Sequence, residues 1–430
     1  MNNMNRRKFL RLVGGTGSLL TLSGALISCD KGPAGSGRVI VVGGGFGGST
    51  CARYLRKYDP TLDITLIEPA KQFTTCPFSN LVLGDMRKLA DITHGYAAQT
   101  SRGNKVIHAR VTQIDAAGKK LTLDNGQTLA YDRLVLSPGI DFDWTQVKGM
   151  SAEAAMQIPH AWQGGEQTTI LRKQLQAMND GGVVVIAPPG NPFRCPPGPY
   201  ERASLIAHYL KQHKPKSKIL ILDAKEKFSK MPLFQQAWTA LYGNMIEWVA
   251  GNAGGRIESI DVAGKLIHSE LGNKHKADVI NFIPPQKAAS LVHTAGLTNE
   301  AGWCSVNQRT FESHVHPGIH IIGDAAIAGK MPKSGFAANS QGKVCAAAIV
   351  ASLHGIAMPD PSYVNTCYSL VAPNYGISVA AVYRYNKEQG IYKVEGSGGV
   401  SPKDADAAFR QLEARYAAGW YDSITSDAFG

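Results

Sequence analysis

The sequence predicts an α/β fold containing two Rossmann-like dinucleotide-binding domains followed by a C-terminal α+β domain. Three observations predict it. A complete strand–glycine turn–helix–strand unit lies near the start, a second strand–turn–strand pattern begins at Gly181, and 430 residues with 44% hydrophobic content can bury more than one core. At about 100–200 residues per domain, this length implies two or three domains. The expected organisation is an export segment over 1–34, a discontinuous dinucleotide-binding domain over 35–150 and 287–355, a degenerate second nucleotide domain over 151–286, and an interface domain over 356–430.

The first 30 residues carry the basic group Arg6-Arg7-Lys8 ahead of an apolar, Gly- and Ser-rich stretch from Leu12 to Ile27. This pattern predicts a twin-arginine signal and hence export of a folded protein to the periplasm. Cleavage after Ala34 is the favoured site; Leu26-Ile27-Ser28-Cys29 is a lipoprotein-like alternative. Cutting after Ala34 removes a net four positive charges from +12 and leaves +8. A basic surface suits an acidic partner, a membrane surface or an anionic substrate. No Lys/Arg run is interleaved with aromatics, so nucleic acid is not an expected partner. Nothing after residue 30 is apolar for long enough to span a bilayer, so no stable membrane insertion is expected.

Arg38-Val39-Ile40-Val41-Val42 reads as a buried strand running into Gly43-Gly44-Gly45-Phe46-Gly47-Gly48 and a helix over Ser49 to Tyr58. Gly43, Gly45 and Gly48 permit a tight turn, close approach of backbone to a pyrophosphate, and close packing of helix on sheet. A second strand, Asp63 to Ile67, ends at Glu68, where a carboxylate accepts ribose hydroxyls. In the second domain the strand at Gly181–Ala187 is followed by Pro188-Pro189-Gly190-Asn191-Pro192-Phe193-Arg194-Cys195-Pro196-Pro197-Gly198-Pro199. Prolines remove N–H donors and fix the backbone, which makes NAD(P)H a poor electron donor here.

Of seven cysteines, Cys29 leaves with the export segment and the remaining six face an oxidising compartment. Cys76 and Cys195 sit beside prolines in turn-like segments, while Cys51 and Cys345 fall in apolar helical stretches expected to be core. None is spaced as a metal-ligand pair, and His314 with His316 lacks acidic or cysteine company, so no metal is expected.

Tyr131-Asp132-Arg133-Leu134-Val135-Leu136-Ser137-Pro138-Gly139 and His320-Ile321-Ile322-Gly323-Asp324-Ala325 resemble the two later FAD motifs of the flavoprotein disulfide reductase superfamily. The likeness implies a glutathione-reductase-like arrangement, FAD as cofactor, Asp324 on the ribityl chain, and a helix over Phe336 to Ala351 aimed at the flavin. More specifically, Thr75-Cys76-Pro77-Phe78, Phe193-Arg194-Cys195-Pro196-Pro197-Gly198-Pro199-Tyr200-Glu201-Arg202 and Thr366-Cys367-Tyr368-Ser369 resemble the flavoprotein subunit of flavocytochrome c sulfide dehydrogenase, over essentially the whole mature chain.

That resemblance implies a covalent bond from Cys76 to the flavin, a redox disulfide between Cys195 and Cys367, sulfide as substrate, and a separate c-type cytochrome subunit as acceptor. Glu201 is the candidate proton acceptor for sulfide oxidation, with a solvent-exposed helix-start carboxylate favoured by the dipole as the alternative reading. Cys76 as a small buried turn residue and Cys195–Cys367 as a purely structural disulfide are the plain alternatives. Rival functions are a sulfide:quinone oxidoreductase, which shares the fold, and a non-catalytic flavin-binding sulfur-assembly factor.

Overall fold

The computed structural model describes residues 37–430. The export segment, Cys29 and both cleavage sites lie outside the described residues. In chain order the framework runs β1 (Arg38–Val42), α1 (Phe46–Tyr58), β2 (Asp63–Ile67), α2 (Ser79–Leu83), β3 (Lys105–Ile107) and β4 (Arg133–Leu136). It continues through α3 (Glu166–Ala177), β5 (Val183–Ala187), α4 (Gly198–His213), β6 (Lys218–Leu222), α5 (Met231–Tyr242), β7 (Ile246–Val249) and β8 (Val279–Phe282). The last part is β9 (Ile319–Ile321), α6 (Gly335–Leu353), β10 (Ser362–Ala372), β11 (Tyr375–Asn386), β12 (Gly390–Lys393), β13 (Gly399–Val400) and α7 (Ala407–Phe429).

The first sheet has the order β9-β4-β1-β2-β3, with all neighbours parallel. Its central strands carry continuous apolar runs because both faces are covered: Val39, Val41, Leu134 and Leu136 are fully buried. β9 arrives from nearly 200 residues downstream, so the first nucleotide unit is discontinuous in sequence. α1 and α6 pack so closely that a Cβ at Gly342 would stand 2.7 Å from the Gly47 carbonyl oxygen.

The second sheet, β7-β6-β5-β8, is also parallel and has its own core, including Leu171, Ile186, Ile206, Ile219 and Phe234. The third sheet is antiparallel, β10-β11-β12 with β13 on β11, and α7 packs along it. Val371 and Ile377 of that hairpin join the second core, and Ile424 and Phe429 of α7 join the first. The C-terminal element therefore closes over both nucleotide-type units. The long hairpin β10–β11 pairs Cys367 with Val379 and sets this cysteine midway along its strand.

Candidate active site

At the nucleotide end, the turn after β1 leaves no room for side chains. Gly43 has φ +98°, and a Cβ there would meet the Ser137 carbonyl oxygen at 2.3 Å; one at Gly48 would meet the Gly43 oxygen at 1.9 Å. The α1 N-terminus follows directly, as a pyrophosphate cradle requires. Gly45 is the residue immediately before that helix. Glu68 stands beside the turn, where its carboxylate accepts from Gly44 N at 2.8 Å and Ala70 N at 3.0 Å. Tyr96, which the motifs did not indicate, donates its hydroxyl to the Gly44 carbonyl at 3.2 Å and covers the turn.

At the other end lies Asp324, just after β9. Its Oδ1 is buried with no hydrogen-bond partner among the described residues, and burial raises its carboxyl against the opposing pull of Arg194 and Lys333. An orphaned acceptor on the line from the glycine turn is what a ribityl hydroxyl satisfies. Together with the glycine cradle, it makes these residues a fit for FAD. Ser334 caps α6, accepting from Ala337 N at 3.1 Å and donating to Asn365 Oδ1 at 2.7 Å, which ties the flavin-facing helix end to β10.

The proline-rich loop between β5 and α4 leaves the second domain and reaches the first. Cys195 N donates to the Lys333 carbonyl at 2.8 Å, and Arg194 N donates to Gln286 Oε1 at 2.9 Å. These tethers hold Cys195 at φ +58°, a left-handed conformation that a non-glycine residue adopts at some cost. Gly198 clears space for its sulfur: a Cβ there would stand 3.0 Å from Cys195 Sγ and 2.7 Å from the Trp162 ring.

All six cysteines among the described residues are free thiols. Cys51, Cys304 and Cys345 are wholly buried, whereas Cys76, Cys195 and Cys367 are half-buried, and Cys195 lies near enough to the other two to feel their charge. Burial pushes the Cys195 thiol well up, and the charges of Cys367, Glu201 and Cys76 push the same way against Arg194. Cys367 is raised by burial, opposed by Lys230 and reinforced by Glu201. The fold has thus gathered cysteines that are 172 positions apart in the sequence.

Glu201 sits in the first turn of α4. Its oxygens accept from Asn80 Nδ2 at 2.8 Å and from Leu370 N at 2.8 Å, so it clasps α2 and β10 to α4. Burial raises its carboxyl against those two hydrogen bonds and the nearby Lys230 and Arg202. It stands at a helix start, but half-buried and hydrogen-bonded rather than solvent-exposed.

Three cations escaped sequence reasoning because nothing local marks them. Lys230, 6% exposed, precedes α5 and donates to Ser369 Oγ at 2.8 Å and to the carbonyls of Cys367 and Ile377 at 3.4 Å. Arg202, 1% exposed, donates to Asn80 Oδ1, Asn281 Oδ1 and the carbonyls of His160 and Ala161, joining both nucleotide-type units. Lys333 spans the carbonyls of Asp324 and Ala326 with its ammonium 3.8 Å from the Trp303 ring centroid, and burial lowers its pKa to about 8.

The second domain closes its own nucleotide site. Asp223, at the end of β6 where an acidic residue would take a ribose, is fully buried and accepts from the Tyr200 hydroxyl, Trp248 Nε1 at 3.0 Å and Lys225 Nζ at 2.6 Å. Tyr200 stacks on Phe228 at 3.7 Å.

Family comparison agrees with this geometry. Residues 168–284 match the family "Sulfide dehydrogenase [flavocytochrome c] flavoprotein chain, central", and residues 359–429 match "Flavocytochrome c sulphide dehydrogenase, flavin-binding". Residues 37–185 match the pyridine nucleotide-disulphide oxidoreductases. The flavocytochrome c sulfide dehydrogenase flavoprotein chain of Chlorobaculum thiosulfatiphilum is 62% identical over 48 residues, which are 11% of this chain and 100% of that sequence. The chain belongs to the flavocytochrome c sulfide dehydrogenase flavoprotein family.

Relatives of this flavoprotein family extend more distantly. Mouse mitochondrial sulfide:quinone oxidoreductase is 22% identical over 300 residues, 66% of this chain and 65% of that protein. The structure of sulfide:quinone oxidoreductase from Aquifex aeolicus superposes with a TM-score of 0.68 over 91% of each chain at 19% identity, which establishes a shared fold. The two family segments that carry the flavocytochrome name contain Cys195 with Glu201, and Cys367, respectively.

Proposed function

We propose that this chain is the FAD-containing subunit of a periplasmic sulfide dehydrogenase, exported folded by the twin-arginine route, which oxidises sulfide at a Cys195–Cys367 disulfide and passes electrons to a c-type cytochrome. The observation that carries the reading is the convergence of Cys195 and Cys367, with Glu201 and Lys230, beside the Asp324 end of the cofactor site. The filled nucleotide pocket around Asp223 supports a donor other than NAD(P)H.

Hydrosulfide opens the disulfide by attack on one sulfur, giving a persulfide and a thiolate. A second hydrosulfide lifts the outer sulfur off as disulfanide and leaves the other cysteine as a thiol. Closing the disulfide again releases one proton and two electrons, so two hydrosulfides yield one disulfanide, one proton and two electrons. Glu201 takes the proton, its carboxyl raised by burial toward a working range. When bound, FAD accepts electrons in pairs and releases them singly. Cys76, whose Sγ lies 3.1 Å from the Trp162 carbonyl oxygen, anchors the cofactor covalently.

A cytochrome partner is consistent with α7, where Phe409, Leu412 and Tyr416 form an exposed stripe at 37%, 39% and 52% exposure. Among the described residues no helix is long and apolar enough to cross a membrane.

Anaerobic titration tests the reading. Sulfide is expected to bleach the oxidised-flavin absorbance and NADH to leave it unchanged, and added cytochrome c is then reduced. Bleaching by NADH, or by neither donor, would overturn the assignment. Reoxidation by a short-chain quinone in place of cytochrome c would return the chain to the quinone-linked reading.

A further inference from the structure

The Trp162 carbonyl oxygen accepts from two groups at once: Cys76 Sγ at 3.1 Å and Arg194 Nη2. Trp162 Nε1 in turn donates to the Arg194 carbonyl at 3.1 Å, so the indole and the guanidinium hold each other in place. Arg194 Nε is buried with no hydrogen-bond partner among the described residues. A buried guanidinium keeps an open donor edge only where another acceptor belongs.

The other cation near Cys76, Arg202, also acts on it through its charge, but its hydrogen-bond donors are taken. Arg202 lies 4.8 Å from the Trp162 ring centroid, but its Nε, Nη1 and Nη2 all donate to Asn80, Asn281, His160 or Ala161. His160 Nδ1 accepts from Trp162 N at 2.9 Å, and burial beside Arg202 and Arg194 lowers its pKa to about 3, which keeps it neutral. Cys195 and Asp324 also lie near enough to Arg194 to act on it through charge.

We propose that Arg194 is the positioning residue for covalent attachment of the flavin, its guanidinium compensating the negative charge on the Cys76 sulfur while that sulfur adds to the 8α-methyl carbon. This inference rests on the reading of Cys76 as the attachment point. One carbon–sulfur bond forms; one proton leaves the thiol and one leaves the methyl group. Two electrons remain on the flavin until a c-type cytochrome or dioxygen removes them. The Trp162 carbonyl orients the sulfur, and Arg194, fixed to that same oxygen, supplies the only uncommitted cationic edge beside it among the described residues. A purely structural Arg194, a strut joining Trp162 to the proline loop, would leave the attachment chemistry unchanged.

The test uses purified holoprotein of the natural sequence, Arg194→Gln and Arg194→Lys, each denatured in acid and scored for flavin fluorescence that stays with the polypeptide against total flavin bound. Arg194→Gln is expected to bind FAD but to carry about tenfold less of it covalently at neutral pH, through loss of a charge-assisted contact. Arg194→Lys should restore part of the attachment, and incubating Arg194→Gln near the ordinary thiol pKa of about 8.5 should restore more. Covalent flavin in Arg194→Gln equal to that in the natural protein would overturn the proposal. So would a deficit that neither lysine nor higher pH relieves, or loss of all flavin from both variants, since each makes Arg194 a strut. Freely dissociable flavin in the natural protein would instead overturn the reading of Cys76 itself.

Discussion

Lys230 places a buried ammonium against the carbonyl of Cys367, at a position whose sequence neighbourhood resembles any solvated lysine. Its pKa falls through burial and is partly restored by Cys367, Glu201 and Cys195. Cys367 is lowered in return by Lys230 against the burial that raises it. A thiolate is the reactive form in disulfide exchange, so this cation favours the reactive form of Cys367. Lys230→Met keeps the length of the side chain and removes the charge. In the reduced protein, Cys367 should then alkylate about tenfold more slowly at neutral pH, with its pH profile displaced upward. Peptide mass spectrometry after timed alkylation reads this, and an unchanged profile would remove Lys230 from the redox site. Cys195, Cys367 and Glu201 were legible as residues because their local motifs are distinctive. Lys230 was not, since only the hairpin β10–β11 brings Ser369 and Ile377 to it.

At the scale of elements, the strand β6 and helix α4 show why the second domain keeps a nucleotide-binding shape without the ligand. Prolines after β5 marked the missing phosphate cradle in the sequence. The occupied ribose position became visible only when Tyr200 from α4 and Trp248 from β7 were found on Asp223. Asp223 and Lys225 form an ion pair with side chains 0% and 10% exposed, and Lys225 also donates to the Pro189 carbonyl at 2.7 Å. Breaking such a pair leaves a buried charge alone. Asp223→Ala should therefore cost about 3–5 kcal/mol, measured as a lower denaturant midpoint. It should not confer NADH oxidation, because the proline loop still lacks phosphate donors; a stable variant that oxidises NADH would contradict this account.

Across the whole molecule, two neutral buried histidines make the fold sensitive to acid. Burial lowers His160 to about 3 and His320 to about 4, from an ordinary value of 6.5. Between 6.5 and those lowered values the unfolded chain binds protons that the folded chain does not. The stability these groups contribute is thus present above about pH 6.5 and is lost as pH falls through the folded values. Each contributes a slope of about 1.4 kcal/mol per pH unit in that window. Denaturation midpoints of the apoprotein should decline steadily from pH 6.5 to pH 4, and His160→Gln should flatten the decline. A flat profile in the natural sequence would show that both rings take up protons in the folded state.

The sequence by itself determined the parallel strands of the first sheet, the glycine turn, the acidic residue after β2 and the second flavin motif, because each depends on neighbours within a few residues. Short continuous apolar runs bounded by turn residues suit doubly covered strands, and glycines at that spacing suit a close backbone approach. It also marked Cys76, Cys195, Cys367 and Glu201 through local motifs. Only the tertiary structure decided that the proline loop crosses to Lys333, that Glu201 clasps Leu370, and that Arg194 shares an oxygen with Cys76. The physical reason is range. Steric and hydrophobic-pattern rules act over a turn or a strand, whereas burial, charge and hydrogen-bond satisfaction at this site depend on groups far apart in the sequence, such as Cys76 with Trp162 and Glu201 with Leu370.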